Sequence, residues 1–572
     1  MHHPSTHVPR WPSTLPEMLH DSARCRPGTP ALWRWVDVRF EPVTYAELIG
    51  AAAAIANRLT KLGIQPEQRV AIAVTDRFSW SVTYIGVLFS GATAVPIDPL
   101  LTPPEIRGIL DDAEVALILH DGRIDLGDTR ARIERLESVW PGFHDLPPLE
   151  SVPLPKVGPE SLANLIFTSG TTGQTKGVML THRNLVSDVF GIQAMGICSD
   201  QDKMLSILPV HHAFECTGGL LYPLSMGGQV AYARSLKSKE ILADLKMTRA
   251  TIILGVPLLF ENIVNSIKRN IAHASPVNRG MFGALAGLSR GGRKIGWRSA
   301  GKALLAGVRR KAGLDSIHLL VSGGAALPSF VAEFLDTLGL PLMQGYGLTE
   351  TSPVVTVNRP DNYRYDTVGL PIPHAEIRII DPRPDGMGEV AVHGPMVMKG
   401  YWKKPAETAA VLQDGWLKTG DLGTIDADGH LRICGRSKNV IISGAGKNIY
   451  PEEVEAVLCA RPEIAEAVVY GTTRPGKTGE VVAAMIVPDA DWFSAERPAD
   501  WSDDARLRSV IDEALRAACE NLAPFKRVTE FDIRREPFEK TSTRKIKRFL
   551  VTKGAGEQLT PPAVTWPAGA EP

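Results

Sequence analysis

The sequence predicts an α/β protein, with a large multi-subdomain N-terminal region of βαβ-type sheets and a small, mobile α+β C-terminal domain. Two observations lead to this prediction. Short apolar runs alternate with helix-like stretches, which is the pattern of buried sheets covered by helices. The 572 residues are also too many for a single core and suit two to four domains.

The apolar runs are predicted to be strands of the large region. They lie at residues 70–74, 93–97, 115–119, 162–167, 203–208, 251–254 and 317–321. Residues 80–90 have helical spacing between the first two runs, so a strand–helix–strand unit is expected there.

A compact segment with the size of a small domain follows residue 435. Residues 451–460 and 505–521 are helix-like, and an apolar stretch lies at 480–487. The tail is rich in Gly, Pro and Ala, a composition typical of a loose terminus. We therefore predict an N-terminal domain over 1–435, a mobile C-terminal domain over 436–553 and a loose tail over 554–572.

Composition argues against several classes of protein. Lys plus Arg and Asp plus Glu both number 63, so the chain as a whole does not have the basic charge of a nucleic-acid binder. The six cysteines are scattered, with no C-x-x-C pair, which favours reduced thiols in a cytoplasmic enzyme. No apolar run reaches the roughly 18 residues of a membrane span, and the N-terminus is not predicted to be a signal peptide.

A glycine-rich loop, IFTSGTTGQTKG at 166–177, follows the predicted strand 162–167. Open α/β sheets bind ligands beyond the carboxyl ends of their strands, and successive backbone N–H groups in such a turn form an anion nest. The loop is not the common nucleotide P-loop, because Gly177 follows Lys176 and leaves no adjacent hydroxyl for Mg²⁺. The predicted phosphate ligands are Thr168, Ser169, Gly170, Thr171, Thr172, Gly173 and Lys176.

Four further motifs follow this loop in order. They are GYGLTETSP at 345–353, DGWLKTGDLG at 414–423, GRSKNVIISGAGKNIYPEEVE at 435–455 and KTSTRKIKR at 540–548. The ordered set resembles the adenylate-forming family of acyl-CoA synthetases, peptide-synthetase adenylation domains and firefly-type luciferases. The residues of these motifs are most similar to those of bacterial long-chain fatty acyl-CoA synthetases, and the resemblance covers about residues 15–550.

The resemblance implies an attack on the α-phosphate of ATP with release of pyrophosphate, which the loop would hold. It places Mg²⁺ on Glu350, a hard oxygen ligand of the kind that this ion prefers. Tyr346, between Gly345 and Gly347, would stack on adenine, and Thr349 would touch the α-phosphate.

Two more motifs complete the nucleotide site that the resemblance implies. The turn SGGAAL at 322–327 follows the predicted strand 317–321, and its residues Gly323, Gly324 and Ala325 would line the pocket. Asp421 would accept the ribose hydroxyls, and Arg436 would add a ribose contact.

The C-terminal domain would carry the residues that change place between two half-reactions. The resemblance puts the hinge at Lys438 and the catalytic lysine at Lys545, whose ammonium would stabilise charge in the adenylation transition state. Arg544 stands where the family usually has glycine, so Lys540 and Lys547 remain rivals. Ser443, Gly444 and Gly446 would then line a tunnel for coenzyme A.

The segment LPVHHAFECTGG at 208–219 lies where the family has its acyl-pocket gate. By resemblance, His212 would stand near the carboxylate end and act in catalysis with Lys176 and Lys545. Phe214, Gly218 and Gly219 would shape the acyl tunnel, and the alternative for His212 is a core histidine with satisfied nitrogens.

Residues 263–314 contain eleven basic side chains and no acidic one, with apolar residues interleaved. This asymmetry fits peripheral contact with an anionic membrane surface. Docking of an acidic acyl carrier protein and a solvated helical face are the alternatives.

The predicted function is ATP-dependent activation of a medium- to long-chain fatty acid to acyl-AMP, followed by transfer to coenzyme A. ATP, Mg²⁺ and coenzyme A are the expected cofactors and co-substrates, and the expected location is the cytoplasm, with the inner membrane face as an option. The alternative is a fatty acyl-AMP ligase or acyl–acyl-carrier-protein synthetase. A P-loop NTPase and a non-catalytic binding protein are rivals from other classes. The absent G-K-[ST] argues against the NTPase, and the complete set of charged site residues argues against the binding protein.

Overall fold

The computed structural model of the chain describes residues 12–140, 142–169, 175–297, 299–444, 447–473, 479–541, 545–548 and 550–551, without the side chains of residues 169 and 238. The chain folds into two compact units. The larger unit comprises Met1–Ile377 and Val392–Leu417, and the smaller comprises Arg378–Ala391 and Lys418–Pro572. This mixed α/β architecture, with a large N-terminal part and a smaller C-terminal part, confirms the predicted fold class. The predicted boundary at residue 435 separates a domain that moves from one that does not. It therefore stays a prediction.

A nine-stranded sheet belongs to the larger unit. Its two edges are antiparallel pairs and its centre is parallel, so the central strands are covered on both faces and almost fully apolar. In spatial order the strands are Leu370–Pro371, Val354–Val357, Leu342–Gly347, Leu319–Ser322, Ile252–Gly255, Lys203–Ser206, Gln229–Tyr232, Pro30–Val36 and Arg39–Thr44.

A seven-stranded sheet also belongs to the larger unit. One end is antiparallel, where a hairpin and a two-residue edge strand join it, and the remaining strands are parallel. In spatial order the strands are Gly400–Tyr401, Thr175–Thr181, Leu162–Ser169, Thr93–Pro96, Arg69–Ala73, Leu117–His120 and Arg132–Arg135.

Three smaller sheets complete the strands of the described residues. A five-stranded sheet contains Glu376–Ile380, Gly388–His393, Trp416–Ile425, Leu412–Gln413 and Leu431–Arg436. In the smaller unit, Ile441–Ile442 pairs with Asn448–Ile449, and a three-stranded sheet has the order Ile464–Thr473, Glu480–Pro488, Glu530–Ile533.

The helices cover these sheets. In the larger unit the α-helices are Leu15–Cys25, Tyr45–Lys61, Arg77–Phe89, Pro103–Asp112, Leu136–Val139, His182–Ala194, Tyr222–Met226, Ser238–Thr248, Pro257–Ala272, Pro276–Lys294, Ala300–Leu304, Ala306–Lys311, Ser329–Thr337 and Pro405–Val411. In the smaller unit they are Pro451–Leu458, Ala490–Glu496, Pro498–Trp501 and Asp504–Cys519. Short 3₁₀ turns lie at Leu149–Ser151, Thr349–Thr351, Ser437–Asn439 and Pro524–Lys526, and a π-helix at Glu215–Leu221.

Local signals in the sequence explain where several helices begin. Thr44 and Glu47 form a capping box at the start of Tyr45–Lys61, and Asp76 accepts from Ser79 N at the start of Arg77–Phe89. The second helix is buried along almost its whole length, as expected of a helix that is apolar all round.

The predicted strands and helices are confirmed, with ends that move by one to three residues. The run at 70–74 is the strand Arg69–Ala73, and the run at 162–167 extends to Ser169. The helix predicted at 80–90 begins earlier, at Arg77, because Asp76 caps it. Among the described residues, no helix combines the length and apolar composition needed to cross a membrane.

The π-helix holds a carboxyl group inside the core of the larger unit. Glu215 is fully buried, and Ser206 Oγ donates to its Oε1 at 2.5 Å. Burial raises the pKa of Glu215 to about 7, although the Ser206 hydroxyl and the Arg77 guanidinium act in the opposite direction. A Cβ on Gly219 would lie 2.6 Å from this carboxyl carbon, so a larger residue there would require the Glu215 side chain to move.

We predict that Glu215→Gln changes how stability depends on pH. Because the folded pKa of about 7 exceeds the ordinary value of 4.5, the native protein binds more protons between these values, and its stability falls as pH rises through that window. The neutral amide escapes this loss, which amounts to at most about 3 kcal/mol at pH 8. In thermal unfolding, the stability of the variant relative to the wild type should therefore increase from pH 5 to pH 8. Parallel curves for the two proteins would contradict a titrating carboxyl at this position.

Candidate active site

The predicted phosphate loop joins two strands of the seven-stranded sheet. Leu162–Ser169 and Thr175–Thr181 form an antiparallel hairpin in which Thr168 pairs with Lys176. Gly170, Thr171, Thr172 and Gly173 lie outside the described residues, as does the side chain of Ser169. The described part therefore places two hydroxyl residues, Thr168 and Thr175, and the Lys176 ammonium at the open end of the hairpin.

Tyr401 connects Lys176 with Glu350. The Lys176 ammonium lies 4.7 Å from the centroid of the Tyr401 ring, within the range of a cation–π interaction. The hydroxyl of the same tyrosine donates to Glu350 Oε1 at 2.9 Å. The predicted phosphate ligand and the predicted metal ligand, distant in sequence, thus contact one side chain.

Backbone hydrogen bonds fix this arrangement. The segment around Tyr401 is an edge strand beside the hairpin, where Trp402 N donates to Gly177 O at 2.7 Å. A few residues earlier, Met398 N donates to Glu350 O at 2.8 Å. One short segment is therefore bonded both to the strand that carries Lys176 and to the 3₁₀ turn that carries Glu350.

The GYG motif ends a strand of the nine-stranded sheet. A Cβ on Gly347 would lie 1.7 Å from the carbonyl oxygen of Pro353, so no larger residue fits. Tyr346 lies between Gly345 and Gly347 and is half-buried. Thr349 begins the 3₁₀ turn Thr349–Thr351, which places it one residue before Glu350.

The SGGAAL turn contacts the predicted acyl gate. It follows the strand Leu319–Ser322, and a Cβ on its buried Gly323 would lie 2.7 Å from the ring of Phe214. Gly324 has φ +83°, a left-handed conformation that favours glycine, and it is exposed together with Ala325. The turn predicted to bind the nucleotide and the segment predicted to bind the acyl chain are therefore in direct contact.

The histidine predicted at the acyl gate stands beside a carboxylate that sequence reasoning missed. His212 Nε2 lies 4.0 Å from Asp98 Oδ2, and His211 Nε2 lies 3.5 Å from Asp98 Oδ1. The two imidazole rings are 4.5 Å apart. These three side chains offer ligand atoms within 4.8 Å of one another, a spacing at which they could hold a metal ion. The signal in the sequence is the position of Asp98, directly after the predicted strand 93–97.

In the smaller unit, the two predicted ribose ligands contact each other. Asp421 and Arg436 are paired across neighbouring strands, and Arg436 Nε lies 2.9 Å from Asp421 Oδ1. Asp421 is buried and Arg436 is about half exposed. The guanidinium therefore orients the carboxylate on which ribose recognition is predicted to depend.

The predicted hinge and tunnel residues lie on one short stretch of the smaller unit. Lys438 is exposed within the 3₁₀ turn Ser437–Asn439. Ser443 forms a β-bridge with Glu480, and a Cβ on Gly479 would lie 2.5 Å from Gly444 Cα. Gly446 lies outside the described residues.

The segment with the predicted catalytic lysine is anchored on both sides. Phe538 and Ile546 belong to an apolar cluster on the small sheet, and Thr541 N donates to Lys545 O at 2.8 Å. The Lys545 side chain is exposed. Its rival Lys540 is mostly buried and ion-paired with Glu466 at 2.5 Å, so that lysine has a structural partner.

The predicted site residues are thus divided between the two units. The phosphate, metal, adenine and acyl-gate residues belong to the larger unit, and the ribose, hinge, tunnel and lysine residues to the smaller one. Within the larger unit, an ammonium, a hairpin turn and a partly accessible carboxylate suit a polyphosphate with a hard divalent cation. The carboxylate oxygen of Glu350 fits Mg²⁺, which takes most of its remaining ligands from phosphate and water.

Comparison with known proteins finds relatives over most of the chain. The chain matches the family "AMP-binding enzyme" over residues 19–402 and "AMP-binding enzyme C-terminal domain" over 453–545. It is 30% identical to the long-chain-fatty-acid–CoA ligase FadD15 of Mycobacterium bovis, over 94% of each chain. It is 32% identical to a feruloyl-CoA synthase of Amycolatopsis, over 84% of this chain and 88% of the other. The crystal structure of ATP-bound MatB from Rhodopseudomonas palustris superposes with a TM-score of 0.75 at 25% identity, over 95% of this chain and 99% of that one.

We predict that Tyr401→Phe raises the Mg²⁺ concentration that ATP–pyrophosphate exchange requires. The ring stays beside Lys176, but Glu350 loses a donor at 2.9 Å. A hydrogen bond to a charged group contributes about 1.5–3 kcal/mol, so the rate at limiting Mg²⁺ should fall roughly 10- to 100-fold. Glu350→Gln should shift the same magnesium curve further.

Tyr363→Phe is the matched control, because its hydroxyl also donates to a carboxylate, that of Asp336, at 2.8 Å. It should lower thermal stability without moving the magnesium curve. Equal magnesium curves for wild type and Tyr401→Phe would show that Tyr401 has no positioning role.

Proposed function

The chain belongs to the AMP-binding enzyme family, and on that premise we propose that it activates a medium- to long-chain fatty acid with ATP and transfers the acyl group to coenzyme A. Adenylate formation and acid–thiol ligation are the activities of the family. The proposal adds the acid, the thiol acceptor and the roles of individual residues.

The observation that carries the proposal is the Lys176–Tyr401–Glu350 arrangement. It gathers a cation for phosphate oxygens and a carboxylate for Mg²⁺ at the end of a hairpin whose sequence is that of an anion nest. No hydroxyl follows Lys176, so the metal ligand must come from elsewhere in the chain, and Glu350 is the carboxylate that the fold supplies.

Adenylation follows as a displacement at the α-phosphorus. A carboxylate oxygen of the acid forms the new P–O bond, and the bond to the β-phosphate oxygen breaks, so pyrophosphate leaves with the electron pair. Lys176 and the loop would hold the leaving phosphates, and Glu350 would hold Mg²⁺, whose charge would offset that of the departing pyrophosphate. The Lys545 ammonium offsets the repulsion between the carboxylate and the phosphate.

Thioester formation follows as acyl transfer. The sulfur of coenzyme A, after losing its proton, attacks the acyl carbonyl, and the C–O bond to AMP breaks. His212, whose Nε2 lies 4.0 Å from Asp98 Oδ2, is the residue that we assign to the carboxylate end of the acyl pocket. Exclusion of water protects the mixed anhydride until the thiol arrives.

Two observations support a fatty acid as substrate. The relative that matches over 94% of both chains is a long-chain-fatty-acid–CoA ligase. The gate residue Phe214 and its neighbours Cys216 and Leu220 are apolar and packed, which suits an acyl chain more than a polar acid. The feruloyl-CoA synthase likeness favours an aromatic acid as the second candidate.

A panel of acids tests the substrate and the acceptor together. Saturated acids of increasing length and ferulate are offered with ATP and either coenzyme A or acyl carrier protein, and pyrophosphate release and product mass are measured. We expect kcat/KM to rise about fourfold per methylene until the pocket is filled, because each buried CH₂ contributes about 0.8 kcal/mol. A preference for ferulate would reject the fatty acid, and acylated carrier protein in place of acyl-CoA would reject the acceptor.

We predict that Lys545→Ala lowers the adenylation rate by about 100-fold or more, because it removes charge stabilisation from the transition state. Thioester formation from supplied acyl-AMP should stay within a few-fold of wild type, since that half-reaction does not use this ammonium.

Lys547→Ala and Lys540→Ala are the controls. Lys540→Ala breaks the ion pair with Glu466 and should lower stability more than adenylation. A larger adenylation defect in Lys547→Ala than in Lys545→Ala would identify Lys547 as the catalytic lysine.

A further inference from the structure

Five large apolar side chains are exposed on or just after the helix Pro276–Lys294. We name them the apolar stripe: Val277, Met281, Leu288, Ile295 and Trp297, with exposed fractions of 79%, 56%, 61%, 85% and 47%. The first three are spaced i, i+4 and i+11, so they lie on one face of the helix. Exposed apolar residues are ordinary when scattered singly, but a contiguous group indicates an interaction site.

The opposite face of this helix is firmly packed, so the exposed face does not belong to a loosely attached segment. Ser289 is buried, and its hydroxyl donates to Thr337 O at 2.8 Å. Arg293 is ion-paired with Asp336 and donates to the Tyr365 hydroxyl at 2.9 Å. The helix is thus oriented by its inner face.

Beside the apolar stripe, the exposed face of the helix has several glycines and therefore few protruding side chains. A Cβ built at any of four helical glycines would meet nothing within 4 Å. They are Gly280, Gly283, Gly287 and Gly291. A flat surface can therefore approach the helix backbone closely along this face.

The structure divides the basic residues of 263–314 into internal and external groups. Arg309 is buried and donates to the Gly339 carbonyl at 2.7 Å, and Arg293 is held by Asp336, so neither is available to a partner. Lys268 lies over the Phe330 ring at 4.6 Å. Arg298 lies outside the described residues.

Eight of the described basic side chains of this segment are exposed, and three of them, Lys268, Arg269 and Arg279, make contacts of their own. The other five have no ion-pair partner among the described residues: Arg290, Lys294, Lys302, Arg310 and Lys311. No Asp or Glu occurs between residues 263 and 314 to offset them. The segment that carries the apolar stripe therefore also carries five exposed positive charges, here called the positive border, that no acidic residue of 263–314 offsets.

We propose that the apolar stripe and these five basic residues form a surface that binds an anionic lipid bilayer. Apolar side chains enter the boundary of the acyl chains while Lys and Arg contact the headgroups, as in interfacial helices. Trp297 has the ring that favours the membrane–water boundary. A second copy of the chain is disfavoured because the two positive borders would repel each other, and an acidic protein would leave the apolar stripe without a matching surface.

Vesicle co-sedimentation tests the proposal with the full chain. Phosphatidylglycerol-containing vesicles are compared with pure phosphatidylcholine vesicles at low and high salt. We expect binding to the anionic vesicles that weakens with salt, because the attraction between exposed charges is screened. Arg290→Gln/Lys294→Gln should lower the partition coefficient roughly 10- to 30-fold, since each basic residue near the surface contributes a factor of about five.

Matched controls separate this surface from general charge and exposure. Lys61→Gln/Arg130→Gln removes the same charge from exposed positions outside 263–314 and should leave binding unchanged. Met281→Gln/Leu288→Gln should lose binding, whereas Val38→Gln/Leu236→Gln, at positions 80% and 50% exposed, should not. Because all these side chains are exposed, thermal unfolding should be unchanged in every variant.

Several results would overturn the proposal. They are equal binding to neutral and anionic vesicles, equal losses in surface and control variants, and lipid-free self-association that the surface variants abolish. Binding to an acidic carrier protein without binding to vesicles would make the surface a protein-docking site instead. The test does not use the acid substrate, so its failure is distinct from a failure of the proposed function.

Discussion

The site in the larger unit depends on a tyrosine placed between an ammonium and a carboxylate. Lys176 and Glu350 carry opposite charges, and a direct ion pair would occupy the groups that are predicted to bind phosphate and metal. Tyr401 contacts both, through its ring face and its hydroxyl, and among the described residues no ion pair joins the two. Backbone hydrogen bonds from Met398 and Trp402 hold this tyrosine in place. The geometry keeps both charges near each other and available.

Close backbone contacts set the remaining geometry of that unit. Gly347 lies so near the Pro353 carbonyl that any side chain would clash, and Gly323 lies against the ring of Phe214. The second contact joins the turn predicted to bind nucleotide to the gate predicted to bind the acyl chain.

Charged side chains occur both buried in the protein and exposed at its surface. Buried charged groups such as Glu215, Arg309 and Lys540 are held by specific partners, because an unpaired buried charge is costly. Lys545 is exposed, and Phe538 and Ile546 on either side of it belong to one apolar cluster. The structure thus separates buried charged groups, whose partners stabilise the fold, from a charged group at the surface.

The sequence by itself determined the fold class, the order of strands and helices and the motifs, because periodicity and glycine-rich turns are local properties. The resemblance of those motifs then assigned roles to residues such as Lys176, Glu350 and Lys545. The sequence did not determine that Tyr401 joins Lys176 to Glu350 or that Asp98 lies beside His212, because such pairs form between elements far apart in the chain. The sequence shows eleven basic residues in 263–314. It does not distinguish Arg293 and Arg309, which have partners inside the protein, from those that face outward. Only the tertiary structure decided these points, because burial and partners depend on which elements pack together.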